Sequence, residues 1–70
     1  MIDEQQALQI AQQNAAQFYR DISVYSVEIK LENGNWQIDY ELKDKNIDGG
    51  GPHFIISAKT GEILEWRFEQ

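Results

Sequence analysis

"YSVEIKLENGNWQIDYEL", Tyr25–Leu42, is the stretch that decides how this chain folds. Tyr25, Val27, Ile29 and Leu31 alternate with Ser26, Glu28 and Lys30, the period of a strand with one apolar face. The same alternation resumes at Trp36. Between the two runs lies Asn33-Gly34, a pair suited to a type I′ turn because both central residues of that turn need positive φ. A two-residue loop sets Leu31 opposite Trp36, Ile29 opposite Ile38, Val27 opposite Tyr40 and Tyr25 opposite Leu42. These apolar residues then share one face. On the other face Glu28 meets Asp39 and Ser26 meets Glu41, which predicts an acidic, solvated surface.

A second hairpin is expected from "DGGGPHFIISAKTGEIL", Asp48–Leu64. A plain four-residue loop over Ala58–Gly61 would pair Ser57 with Glu62 and put Phe54 and Ile56 on the face opposite Leu64, Trp66 and Phe68. A type I turn closed by a bulge at Gly61 absorbs one residue instead. Ile56 then faces Leu64 and Phe54 faces Trp66, so the apolar set stays together. The bulge at Gly61 is therefore the expected geometry. Pro52 suits the start of a strand, where its missing N–H is tolerated.

Upstream, Leu8, Ala11, Ala15, Phe18 and Ile22 step by three and four, predicting one stripe of an amphipathic helix from Asp3 to about Arg20. Asp3 is placed as N-cap and Gln6 as its capping-box partner. The glutamines at 5, 6, 9, 12, 13 and 17 read as a solvated helix face. One helix followed by four antiparallel strands predicts an α+β domain, the helix packed on a meander in the order 1-2-3-4, with Asp44–Gly51 as the connection between hairpins.

A chain of 70 residues is expected to form one domain, and with no cysteine it must be held by apolar packing alone. Its net charge of −6, with no cluster of Lys or Arg, disfavours nucleic acid and anionic lipid as partners. The opening "MIDEQQALQI" lacks the basic and apolar regions of a secretory signal and no long apolar run follows, so a cytoplasmic location is expected, without membrane or cofactor.

Candidate sites are few. "DGGGP" lacks the Lys-Ser or Lys-Thr and the following helix of a phosphate loop. "DKNIDG" places Asp44, Asn46 and Asp48 at alternate positions before Gly49, as in the first half of a calcium loop, but Ile55 stands where the bidentate Glu belongs. A weak calcium site and an ordinary Asx-rich loop both stay open. His53 is the single histidine, expected on the outer face opposite Arg67. Glu28, Asp39 and Glu41 form the acidic patch on that face, where no desolvated pocket is expected to tune a carboxylate for catalysis. Val24, Ile55 and Ile63 are expected to interrupt the same face, either as a partner or homodimer contact or as scattered exposed residues.

The glycine-proline loop, the strand "HFIIS", the turn "AKTGEIL" and the opening "EQQALQIAQQNA" together resemble small bacterial immunity-type proteins with a cystatin-like or NTF2-like sheet, including the YrhB-like group. The ending is also similar to that of PepSY domains, in which an apolar strand precedes a "D-A-x-T-G-x-V" turn; Ser57 stands at their Asp. The first resemblance implies a cystatin-like fold and a module that binds and inhibits another protein. The second implies a regulatory domain of a peptidase system. Neither transfers site residues. The expectation is thus a non-enzymatic, acidic protein-binding module, with Glu28, Asp39, Glu41, His53, Ile55 and Ile63 meeting a partner of basic surface.

Overall fold

A computed structural model describes residues 1–19, 22–44 and 51–68. Helix α1 spans Glu4–Ala15, a 3₁₀ turn spans Ile22–Val24, and strands β1 (Tyr25–Glu32), β2 (Asn35–Leu42), β3 (Pro52–Ser57) and β4 (Ile63–Phe68) follow. The strands form one antiparallel sheet in the order β1-β2-β3-β4, and α1 packs chiefly on β2 and β3. The expected α+β meander is the observed architecture.

Local chemistry sets both ends of the first hairpin and the start of the helix. Asn33 and Gly34 have φ of 54° and 76°, and the β1–β2 register matches the alternation at every pair from Tyr25–Leu42 to Glu32–Asn35. The Asp3 side chain accepts from the Gln6 backbone N–H at 2.8 Å, while the Gln6 side chain accepts from the Asp3 N–H at 2.9 Å. The helix, however, ends at Ala15, several residues short of Arg20. Its buried stripe is Ala7, Ala11 and Ala15, with Leu8 and Ile10 packed at the margins, whereas Phe18 lies beyond the last turn and is 63% exposed. Small side chains at a four-residue spacing let the helix backbone approach the sheet closely; the larger residues flank that contact.

The core lies between α1 and the middle strands: Ile38, Tyr40, Phe54 and Ile56 are buried against the alanine stripe. Tyr19, Tyr25, Tyr40 and Phe54 form a chain of edge-to-face rings with centroids 5.8, 6.4 and 6.3 Å apart, the geometry their quadrupoles favour. Because one helix covers only the central strands, inner-face residues of the outer strands stay open. Val27 is 43%, Leu31 54% and Trp66 57% exposed.

The second hairpin corrects the expected bulge. The Ser57 N–H donates to the Glu62 carbonyl at 2.8 Å, so the plain four-residue loop over Ala58–Gly61 is the one that forms, with Gly61 at φ 81°. Ile56 then pairs with Ile63, and the register shifts by one before Ile55–Glu65 and Phe54–Trp66. The extra residue is thus Leu64, inside the strand, and not Gly61. Ile63 consequently sits beside Ile56 and packs on the core, which removes it from the outer face where the sequence placed it.

Pro52 opens β3, as its chemistry demands, and is fully buried. Gly51 is buried as well. A Cβ built there would lie 2.6 Å from the Tyr40 carbonyl oxygen and 2.9 Å from Tyr25 Cδ1. The end of the glycine run is therefore a packing residue wedged against β2, where the sequence reading had only a connector. At the opposite end of the sheet the Ile2 N–H donates to the Ala58 carbonyl at 2.7 Å, Ala58 donates to Gly34 at 3.1 Å, and the Trp36 indole donates to the Ile2 carbonyl at 3.2 Å. These bonds tie the amino terminus to both turns.

Candidate interaction face

With α1 on one side, the other face of the sheet carries the alternate residues of each strand. Register places Glu28, Asp39, His53 and Arg67 in one row across β1, β2, β3 and β4. The next row runs Lys30, Gln37, Ile55 and Glu65. Glu41 lies along β2 from Asp39, opposite Ser26. Five of the six candidate interface residues, Glu28, Asp39, Glu41, His53 and Ile55, thus share this face; Ile63 does not. Val24, in the 3₁₀ turn before β1, is 44% exposed.

The row is joined by a contact the sequence did not suggest. Asp39 Oδ1 lies 2.8 Å from His53 Nδ1, and both side chains are 29% exposed. An ionised carboxylate only accepts, so the tautomer with the proton on Nδ1 is the one that makes this contact a hydrogen bond. The Gln37 amide approaches the other carboxylate oxygen at 3.5 Å. Finding this pair requires the β2–β3 register, which is set across the 44–51 connection and leaves no signal in either strand. The expected His53–Arg67 opposition is present.

Gln37, Asp39, His53, Ile55, Glu65 and Arg67 border a hollow of about 230 Å³ that is open to solvent. Ligand pockets usually hold roughly 300–1,000 Å³ and enclose most of their ligand. This one is a dimple in a surface. Arg67 and Glu65 stand 4.0 Å apart with side chains 72% and 54% exposed, a loose pair that leaves the acidic character of the neighbouring β1–β2 half intact.

No group of three or more metal-ligating side chains occurs among the described residues. Of the expected calcium ligands, Asp44 is described and exposed, while Asn46 and Asp48 lie outside the described residues. Among the described residues no helix is long and apolar enough to cross a membrane. In comparisons with known proteins, no family model, no curated protein and no solved structure matches the chain. The fold and the face therefore define the molecule by geometry: a small α+β fold whose sheet, among the described residues, has one helix-covered and one open face.

Proposed function

We propose that this chain is a non-enzymatic protein-binding module, acting as an inhibitor or immunity factor, whose outer sheet face meets a partner with a basic surface. The observation that carries the reading is the juxtaposition of Glu28, Asp39 and Glu41 on adjacent strands, bordered by Ile55 and the Asp39–His53 pair. Clustered carboxylates steer a basic partner during encounter, and an apolar residue at their margin supplies area that is desolvated on docking. The open dimple gives a carboxylate little shelter from water, which suits recognition better than acid–base catalysis.

The test begins with partners captured on the immobilised domain and identified by mass spectrometry. Association with each purified candidate is then measured for the natural chain and for an Asp39→Asn/Glu41→Gln variant, which keeps hydrogen-bonding groups while removing two charges. The association rate should fall about tenfold at low salt and the difference should shrink as salt rises. Equal rates for both chains would rule this face out.

A further inference from the structure

The two edges of the sheet are not equivalent. β4 is interrupted by the extra residue at Leu64, the kind of irregularity that blunts an edge. β1 runs in unbroken register with β2 over its full length from Tyr25 to Glu32, and among the described residues no strand pairs with its other side. Its backbone polarity follows from the turn. A two-residue loop makes Glu32–Asn35 a hydrogen-bonded pair, and the bond from the Lys43 N–H to the Val24 carbonyl at 3.0 Å keeps the same phase at the far end. Even-numbered residues thus bond to β2. Val27, Ile29 and Leu31 direct their N–H and C=O groups to the open edge.

We infer that β1 pairs antiparallel with β1 of a second copy about a two-fold axis at Ile29, joining two sheets into one. The strand is self-complementary about that residue. Ile29 meets Ile29 of the second copy, Val27 meets Leu31, and on the outer face Glu28 meets Lys30. Each of these is an in-phase pair, so the outward N–H and C=O groups of Val27, Ile29 and Leu31 find partners. A one-residue slip would set apolar side chains against charged ones. The pairing also answers two exposed features of the single chain. Val27 and Leu31, 43% and 54% exposed, gain each other as neighbours. Glu28 faces the like charge of Asp39 across β2 and has no basic partner among the described residues; Lys30 of the second copy supplies one. The pairing shares Glu28 with the heterotypic reading above but uses the β1 edge, and its test reads self-association, which failure to find a basic partner would leave unchanged.

Sedimentation equilibrium on four samples tests it: the natural chain, Glu28→Lys, Lys30→Glu, and an equimolar mixture of the two variants. Both substitutions are at exposed outer-face positions, and circular dichroism checks that each variant is folded. The natural chain should dimerise at or below about 1 mM. Each variant alone should lose at least about tenfold in association, because both Glu–Lys contacts become like-charge contacts. Mixing should restore a dimer containing one of each, since Lys then meets Glu at every such position. A natural chain that stays monomeric to about 1 mM, a dimer that survives both single substitutions, or a mixture that stays monomeric would each overturn the pairing.

Discussion

Replacing Gly51 with alanine tests the closest approach in the fold. A Cβ there would sit 2.6 Å from the carbonyl oxygen of Tyr40 and 2.9 Å from its carbonyl carbon. Carbon–oxygen contacts in folded proteins settle at about 3.3 Å, so the methyl arrives about 0.7 Å too close. The obstructing atoms belong to the backbone of β2 at Tyr40, which sits opposite Val27 and one residue past the Asp39–His53 end of the β2–β3 ladder, so relieving the contact means shifting the strand itself and not a side chain. The third neighbour, Tyr25 Cδ1 at 2.9 Å, belongs to a ring held edge-on between Tyr19 and Tyr40. Overpacking of this kind costs about 1–3 kcal/mol, against which alanine regains up to about 1 kcal/mol by restricting the unfolded chain. With two backbone atoms in the way, the net loss is expected near 2 kcal/mol, a large part of the roughly 4–10 kcal/mol available to a domain of this length.

Urea unfolding followed by tryptophan fluorescence gives the readout. At about 1 kcal/mol per molar urea, the midpoint should fall by roughly 2 M, and the melting temperature by roughly 8–16 °C. Gly34→Ala is the control. Gly34 has φ 76° with nothing within 4 Å of a built Cβ, so its loss is only the left-handed strain, about 1 kcal/mol. A midpoint for Gly51→Ala within about 0.3 M of the natural chain would refute the packing argument.

Further predictions follow from contacts on the inner side. Trp36→Phe removes the indole donor to the Ile2 carbonyl and should cost about 1 kcal/mol in urea unfolding, with faster amide exchange at Ile2 as the amino-terminal strap loosens. Asp3→Ala removes the side-chain half of the capping box, the bond from the Gln6 N–H to Asp3 Oδ1, and should cost about 1 kcal/mol, whereas Asp3→Asn should retain most of it. Burial pushes the Tyr40 phenol above its ordinary range. A folded-state pKa above the unfolded value of about 10 means this contribution is intact below pH 10 and is lost as pH rises through the raised value. Stability should therefore decline on the alkaline side, and Tyr40→Phe should flatten that decline; equal alkaline slopes for the two chains would count against it.

What the sequence determined by itself is local. Asp3 and Gln6 lie three residues apart, and Asn33-Gly34 dictates a turn whose geometry propagates residue by residue along β1 and β2. The composition of the outer face near Glu28, Asp39 and Glu41 follows from that one turn. The tertiary structure decided what depends on residues distant along the chain. The β2–β3 register, and with it the Asp39–His53 contact, arises only when both strands meet under α1. Periodicity cannot report how far one helix reaches across a sheet, so it did not separate Ile38 and Tyr40, which are buried, from Val27 and Leu31 on the same face. Two routes keep Phe54 opposite Trp66, a bulge at Gly61 or one at Leu64, and they differ in which face receives Ile63. The second is the one that forms: it sets Ile63 beside Ile56 and packs it, partly buried, against the core while the four-residue loop stays intact.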